Sequence, residues 1–382
     1  MNIFEFSVPT QLKFGVDVVN RLGNVVSEFG DKAVIITEAI LHESGTIKRI
    51  IEILEKKGCE AIVFDEVIPN ANSKVVDFGT EIVRSSYADV VVGIGGVRTL
   101  SIAKAVAMLA NNSGDISEYL DGKIQENEAL PYIEIPSTPR NPFMFKDEFL
   151  LTDSRSNNAK IVKVKKLTTK QVLFDPMITT TLPRRYTATT VIDSLANAVE
   201  GYISTKSNFL SETIFLKAIE LFSSNLMNAI NAPDDIASKS FLSLGGLFTS
   251  LGLSMSCTGI VSSLSYVLNS KFKIPKSFCS CILLPHVLDY DITGIPTKLV
   301  KIAHALGEDT AKLSVVEASI KAIEKIRKMI IELRLPVRLD EFGINKDDLI
   351  IVADDARKFE VFNYIPRSCS SEELYAILQA AY

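Results

Sequence analysis

Short apolar runs alternate with amphipathic segments along the first half of the chain. Residues 33–37, 61–64 and 89–94 are runs of apolar, mostly β-branched residues, and residues 131–136 form another strand-like run. Runs with few polar interruptions are typical of strands that are buried on both faces of a parallel sheet. Because helical segments lie between these runs, we expect right-handed βαβ units and a nucleotide-binding-like α/β domain.

From about residue 175 onward the apolar positions recur with a helical period. Amphipathic segments cover residues 193–204, 211–230, 236–251, 298–306 and 315–333. Prolines, which cannot continue a helix, lie close to several of their boundaries. The predicted fold is therefore an α/β parallel-sheet domain at residues 1–182, followed by an all-α domain at residues 183–382.

Composition and charge exclude several classes of protein. The 382 residues are 47% hydrophobic and 23% charged, which is ample for a sizeable core in two domains. A net charge of −5 and the lack of a long basic cluster argue against nucleic-acid binding. The N-terminus does not resemble a signal peptide, and no apolar run reaches the roughly 18 residues needed to span a bilayer. The five cysteines are expected to be reduced thiols, so we predict a cytoplasmic protein.

A glycine-rich turn follows the third apolar run. Gly95 and Gly96 lie between that run and a predicted helix at residues 101–107. Glycines at such a turn let the backbone approach a pyrophosphate, which the N–H groups of the following helix can bind. Arg98 could supply a planar fork of donors for an anion, or it could fill the pyrophosphate position itself. The alternative is a tight turn in a packed α/β unit.

Metal-binding chemistry is the second candidate. Asp193 and Asn197 are four residues apart, so they share one face of a helix. An iron or zinc site of this kind needs imidazoles that converge with a carboxylate. The chain has three histidines, His42, His286 and His304, and none of them is close to this pair in sequence.

Two segments identify a family that the chain resembles. Residues 191–202 read VIDSLANAVEGY, and residues 259–287 begin with glycine and contain IPK and LLPHV. This order and spacing resemble the iron-containing (group III) alcohol dehydrogenase family, which has D-A-L-T-H-A-I-E-A-Y, then P-H-G, then L-L-P-H-V. The resemblance covers nearly the whole chain. It implies the two-domain fold shared with dehydroquinate synthase, NAD-linked oxidation and reduction of alcohols and aldehydes, and a homodimer or larger homo-oligomer.

The resemblance places the family's metal ligands at Asp193, Asn197, Ser262 and Lys276, with a further histidine position at Tyr266. One carboxylate, one amide, one hydroxyl and one ammonium do not make an iron site, so we expect no metal in the family's mode. Lys276 is instead expected next to Asp193, where an ion pair would replace the metal. In a structural version the pair only stabilises the fold. In a catalytic version Lys276 polarises a carbonyl oxygen, and Ser262 or Tyr266 relays a proton.

The resemblance also implies a set of cofactor-binding residues. Glu38 aligns with the acidic residue that holds the adenosine ribose, which would favour NAD over NADP, or else it is a turn or helix-capping residue. Val97 replaces the third glycine of the family's loop, and its β-branched side chain is expected to disfavour that loop's backbone path. The companion loop at residues 136–144 keeps two hydroxyls but neither glycine. The predicted set is Glu38, Gly95, Gly96, Arg98, Thr99, Ser137 and Thr138.

These residues predict an iron-type alcohol dehydrogenase-like protein whose metal-dependent catalysis is lost or replaced. A metal-free enzyme that uses NAD, Lys276 and a small-molecule substrate is one hypothesis. A second is a non-catalytic paralogue that serves as a regulatory, binding or assembly subunit. A third is an anion-binding protein that uses Arg98, Arg140 and Lys276. The sequence leaves these alternatives open and does not identify a substrate.

Overall fold

The computed structural model describes residues 4–67, 71–165, 169–180 and 182–382. The chain divides into two compact units, an α/β unit at Ser7–Leu182 and a helical unit at Pro183–Tyr382. Residues 4–6, which the sequence analysis assigned to the first domain, belong to the helical unit, and residues 1–3 lie outside the described residues.

Within the described residues, the α/β unit contains a six-stranded parallel sheet and a two-stranded antiparallel ribbon. The strands are β1 (Gln11–Phe14), β2 (Lys32–Ile36), β3 (Glu60–Phe64), β4 (Val90–Gly95), β5 (Tyr132–Pro136), β6 (Glu148–Asp153), β7 (Asn158–Lys163) and β8 (Thr169–Phe174). The helices are α1 (Leu22–Val26), α2 (Ala39–Glu43), α3 (Thr46–Glu55), α4 (Ser73–Ser85), α5 (Val97–Ala110), α6 (Ile116–Leu120) and α7 (Pro176–Thr179), with a 3₁₀ turn at Val18–Arg21. The sheet order is β1-β8-β5-β4-β2-β3, and β6 pairs with β7.

Three of the four apolar runs form the interior strands β2, β4 and β5 of this sheet, as their pattern predicted. The run at residues 61–64 instead forms the edge strand β3, which is only partly buried. All six residues of β4 are buried, and β4 pairs with β2 on one side and β5 on the other. Successive residues of β2 enter different cores: Val34 packs in one cluster with α4 and α5, and Ile35 packs in another with α1 and α3. Helices therefore cover both faces of the sheet, which explains why its central strands lack polar alternation.

The helical unit is built around a buried central helix. Its helices are α8 (Arg184–Ile203), α9 (Phe209–Asn231), α10 (Ile236–Ser254), α11 (Ile260–Phe272), α12 (Lys276–Asp291), α13 (Pro296–Ala305), α14 (Val315–Glu332), α15 (Leu349–Ala356) and α16 (Ser371–Ala380), with 3₁₀ turns at Leu339–Phe342, Lys346–Asp348 and Glu360–Asn363. Helix α8 packs against α9, α10, α11 and α12. Gly201 and Gly252 both lie against the Phe215 ring, where added Cβ atoms would come within 2.3 and 2.5 Å of its carbons. This close packing holds α8 and α10 against α9.

Helix α10 is long and apolar enough to cross a membrane by length and composition alone, although the sequence analysis found no such run. Of its most apolar 18-residue window, 61% is buried inside the helical unit, where α10 packs against α9 and α8. Its apolar side chains are therefore part of a protein core. The five cysteines are all buried, and none of them forms a disulfide.

Candidate active site

A carboxylate and a glycine turn meet at the carboxyl end of the sheet in the α/β unit. Glu38 follows β2, and Gly95 and Gly96 connect the neighbouring strand β4 to α5. Glu38 Oε1 accepts hydrogen bonds from the Gly96 N–H, at 2.8 Å, and from the Thr99 hydroxyl, at 2.7 Å. One carboxylate oxygen is thus fixed beside the N-terminus of a 14-residue helix. Thr99 was predicted as a cofactor-binding residue, and in this structure its hydroxyl donates to Glu38 and positions that carboxylate.

The turn needs glycine at only one of its positions for backbone reasons. Gly95 has a φ of +157°, and a Cβ there would lie 2.7 Å from Glu38 Oε1 and 2.9 Å from the Thr99 Cβ. Val97 is buried, is the first residue of α5, and does not have a positive φ. Val97 thus has an ordinary helical backbone, and the residue with positive φ lies two positions earlier. That Val97 diverts this loop from the family's backbone path stays a prediction.

The companion loop follows β5 and lies beside the same turn. The Ser137 N–H donates to the Gly95 carbonyl at 2.9 Å, and Ser137 is buried. The Thr138 methyl lies 3.8 Å from the position that a Cβ on Gly96 would occupy. The predicted residues Glu38, Gly95, Gly96, Thr99, Ser137 and Thr138 are therefore neighbours. Arg98 is exposed on the first turn of α5, and Arg140 is half-buried in the companion loop.

A buried lysine on α5 fixes this loop. Lys104 Nζ donates to the Phe143 carbonyl at 2.7 Å and to the Lys146 carbonyl at 3.1 Å. Burial lowers the pKa of Lys104, and the nearby Glu134 carboxylate opposes that shift. Phe143 belongs to the companion loop and Lys146 follows it by two residues, so the buried Lys104 anchors the end of the loop.

The second cluster lies in the helical unit, where three helices converge. Asp193 and Asn197 are on α8, and Lys276 is the first residue of α12. Lys276 Nζ donates to Asp193 Oδ1 and lies 3.3 Å from Asn197 Oδ1. The Asp193 side chain is fully buried, and that of Lys276 is 9% exposed. The predicted contact between Lys276 and Asp193 is present.

Ser262, on α11, connects this pair to a carboxylate that the sequence analysis did not single out. Its hydroxyl lies 3.1 Å from Asn197 Oδ1 and 2.6 Å from Glu200 Oε2, and its N–H donates to Glu200 Oε1 at 3.2 Å. One hydroxyl hydrogen serves one acceptor at a time, and the shorter distance favours Glu200. Burial raises the pKa of Glu200. The available signal was the spacing, since Glu200 lies three positions after Asn197 on the same helix.

Tyr266 completes the cluster from one turn further along α11. The centre of its ring lies 5.5 Å from Lys276 Nζ, within the range of a cation–π contact, and the side chain is buried. All five residues that were predicted for catalysis therefore lie together: Asp193, Asn197, Ser262, Tyr266 and Lys276.

The donors at these positions do not fit an iron ion. Among the described residues, no group of three or more histidine, cysteine, aspartate or glutamate side chains could hold a metal. At the four ligand positions the carboxylate of Asp193 instead accepts a hydrogen bond from an ammonium, and an ammonium has no lone pair to offer a metal. The other two side chains contribute one amide and one hydroxyl, which are poor substitutes for imidazole.

Comparison with known proteins covers both units. The family model "Iron-containing alcohol dehydrogenase" matches residues 9–176, and the model "Fe-containing alcohol dehydrogenase family, C-terminal" matches residues 187–382. A 1,3-propanediol dehydrogenase from Klebsiella pneumoniae is 25% identical over 383 residues, covering 100% of this chain and 99% of that protein. An NAD-dependent methanol dehydrogenase from Bacillus methanolicus is 23% identical and covers 98% and 99%. The crystal structure of a 1,3-propanediol oxidoreductase has a TM-score of 0.95 at 25% identity, and each chain is covered completely.

Proposed function

This chain belongs to the iron-containing alcohol dehydrogenase family, and from that premise we propose that it is an NAD-linked oxidoreductase of small alcohols or aldehydes in which the Lys276 ammonium replaces the metal ion. The observation that carries the proposal is the position of Lys276 Nζ, which bonds to Asp193 and lies within reach of Asn197. A fully buried carboxylate requires a positive charge close by. The ammonium supplies that charge at the place where the family's ligand pattern converges.

A fixed ammonium can do part of the work of a Lewis acid. A bound NADH would supply hydride to a carbonyl carbon, and a cation held in place would stabilise the negative charge on the carbonyl oxygen. The oxygen must also receive a proton to become an alcohol hydroxyl. Lys276 can donate that proton directly, or the Tyr266 or Ser262 hydroxyl can relay it. A carbonyl group that gains a hydride and a proton becomes an alcohol. Atoms and charge therefore balance without a metal ion.

Dinucleotide binding is supported by the arrangement around Glu38. Its carboxylate is held at the end of β2 by Gly96 and Thr99, beside the helix N-terminus at Val97. An acidic residue in this position accepts hydrogen bonds from the hydroxyls of an adenosine ribose, and its charge repels a 2′-phosphate. We therefore propose NAD rather than NADP as the cofactor, in keeping with the NAD-dependent methanol dehydrogenase among the relatives.

Replacing Glu38 with glutamine should weaken NADH binding by roughly 10- to 100-fold, because a hydrogen bond to a charged group contributes about 1.5–3 kcal/mol. NADPH should lose less, since the neutral amide no longer repels its phosphate. The glutamine carbonyl can still accept from Gly96 and Thr99, so the turn should keep its shape. Titration calorimetry with both nucleotides measures the change, with Glu43→Gln on the exposed end of α2 as the control. Unchanged NADH affinity would leave Glu38 only the role of a turn cap.

The proposal as a whole is tested on one sample of purified protein treated with a chelator. We expect NADH binding in the micromolar range, reduction of members of a panel of small aldehydes, and rates that do not change on adding iron or zinc. Elemental analysis of the untreated sample should find neither metal in stoichiometric amount. Stoichiometric iron or zinc, or activity that only a metal restores, would contradict the replacement by Lys276.

A non-catalytic paralogue is the second candidate, and the hydrogen bonds among the buried side chains around Lys276 favour it. Ser262 and Glu200 bond to each other, and the ion pair is buried, as a purely structural pair would be. NADH binding without turnover of any aldehyde would support this candidate over the first. The third candidate is an anion-binding protein that uses Arg98, Arg140 and Lys276. The two arginines belong to the α/β unit, and the lysine belongs to the helical unit.

We further propose a homodimer or larger homo-oligomer, as the family resemblance implies, and a reducing, cytoplasmic setting. The setting is supported by five buried cysteines without disulfides.

A further inference from the structure

A glutamate is buried in the interior of the central sheet. Glu134 lies on β5, between β4 and β8, and is fully buried. Its backbone is paired with Gly93 on one side and Val172 on the other. A carboxyl group in such a place loses its contact with water, and this costs free energy unless a nearby group compensates it. The contacts of Glu134 therefore indicate why the chain has a carboxyl group there.

The side chain of Glu134 is hydrogen-bonded to the companion loop. Its Oε1 atom accepts from the Asn141 side-chain amide at 2.5 Å, and both residues are buried. The Asn141 Oδ1 atom accepts in turn from the Phe143 N–H at 2.9 Å. The hydroxyl of the neighbouring Tyr132 donates to the Leu100 carbonyl at 3.2 Å. In the part of the chain that the structure describes, Glu134 Oε2 has no hydrogen-bond partner. The carboxyl group therefore serves the loop.

Lys104 contacts the same loop with the opposite charge. Its ammonium donates to the Phe143 and Lys146 carbonyls. Burial raises the pKa of Glu134, and the charge of Lys104 opposes that increase. Apolar side chains of similar volume would often fill such a space at lower cost. Buried donors and acceptors instead require one arrangement of their partners, so these two residues hold the loop in one position.

The anchored end of the loop is connected to the glycine turn. The Thr138 hydroxyl donates to the carbonyl of Arg140, the residue before Asn141. Thr138 also lies beside the turn, with its methyl 3.8 Å from the position of a Cβ on Gly96. Prolines on either side of Arg140 and Asn141 fix two φ angles, which leaves this segment few ways to bend. A shift of Asn141 should therefore reach the turn that positions the Glu38 carboxylate.

We propose that Glu134 is a positioning residue for the dinucleotide site. It holds Asn141, and with it the companion loop, in the place where Ser137 and Thr138 meet the glycine turn. The identity of the ligand rests on the proposed function. The anchoring of the loop rests on the contacts of Glu134 and Asn141 alone.

Hydrogen exchange of the full-length protein without nucleotide measures the anchor directly. Glu134→Leu keeps a side chain of similar size but removes the acceptor for Asn141, so the N–H groups of residues 137–144 should exchange roughly 10-fold faster. Asn141→Ala breaks the same contact from the loop side and should have the same effect. Glu134→Gln keeps a carbonyl oxygen for Asn141 and should restore most of the protection. Gln171→Leu is the matched control, since it changes a buried polar residue on the neighbouring strand β8 and should leave the loop unchanged.

The second measurement is NADH affinity at a temperature at which circular dichroism shows every variant to be folded. Glu134→Leu and Asn141→Ala should weaken NADH binding by roughly 10-fold, whereas aldehyde turnover at saturating NADH should stay close to that of the wild type. A purely structural role would lower the melting temperature and leave the affinity unchanged, and that result would overturn the proposal. Loop exchange at the wild-type rate in both variants would overturn it as well. If the wild type binds no NADH, the proposed function fails, and loop exchange still decides whether Glu134 anchors the loop.

Discussion

Replacing Lys276 with methionine should lower the free energy of unfolding of the helical unit by about 3–5 kcal/mol, because it leaves a buried carboxylate without its cation. The Asp193 side chain is fully buried, and the methionine retains most of the lysine stem, so the change isolates the charge. Equilibrium unfolding in urea measures the loss. A loss below about 1 kcal/mol would mean that Asp193 does not need the ammonium.

The matched controls separate charge from packing. Lys301→Met on the exposed side of α13 should change stability by no more than about 0.5 kcal/mol. Combining Lys276→Met with Asp193→Leu removes both charges and should recover most of the loss, since a buried ion pair can often be exchanged for apolar residues without cost. A double variant as unstable as Lys276→Met alone would assign the effect to lost packing around α12.

The same variants distinguish a structural ion pair from a catalytic one. Both hypotheses predict that the double variant folds. If Lys276 polarises the substrate, the double variant should lose turnover by several orders of magnitude, because an electrostatic stabiliser of the reacting oxygen is missing. Its NADH affinity should be unchanged, since the Glu38 site lies in the α/β unit. Retained turnover would mean that the pair only supports the fold.

Much of the central sheet could be predicted from the sequence because β2 and β4 are short apolar runs rich in β-branched residues. Their length and composition favour strands, since periodicity alone does not separate a buried strand from a buried helix segment. The buried strand β8, which lies between β1 and β5, was missed. β1 gives no such signal, because two of its four residues are exposed and the other two half-buried at the edge of the sheet. The ribbon of β6 and β7 was also missed, since its partly buried, charged residues resemble a loop.

The limits of α8 show how buried polar residues mislead the pattern. The predicted segment begins at Asp193, but the helix begins at Arg184. Its first turns contain Thr187, Thr189 and Thr190, which are buried, and the Thr190 hydroxyl donates to the Tyr186 carbonyl. Such hydroxyls donate hydrogen bonds to carbonyls of their own helix, so a buried helix face can contain polar residues in the sequence.

The candidate site was predictable where spacing along one helix or the family pattern fixed it. Asp193 and Asn197 follow from helical spacing, and Lys276 followed from the position of a ligand in the family. Glu200 could have been found in the same way, from its spacing after Asn197 on α8. Its hydrogen bond with Ser262 joins two different helices over 62 positions, and a single sequence carries no signal for such a pairing.

Restoring the imidazoles is the sharpest test of the idea that an ammonium has taken a metal's place. A variant with Asn197→His, Ser262→His and Lys276→His should bind one ferrous or zinc ion per chain, whereas we expect the wild type to bind none. The geometry supports this outcome, since Lys276 bonds to Asp193 and lies 3.3 Å from Asn197 Oδ1, which in turn lies 3.1 Å from the Ser262 hydroxyl. Replacing Lys276 frees space for the imidazole rings. It also frees the Asp193 carboxylate to act as the fourth metal ligand.

The expected readout for the restored site is a metal-dependent gain in stability of about 2.7 kcal/mol at a metal concentration 100 times the dissociation constant. Asn197→His alone is the control, because Lys276 still occupies Asp193 and should keep the metal out. A folded triple variant that binds no metal would show that the backbone no longer converges as a metal site requires. In that case the ion pair did not simply replace a metal within an unchanged frame, and the Lys276 cluster has its own geometry.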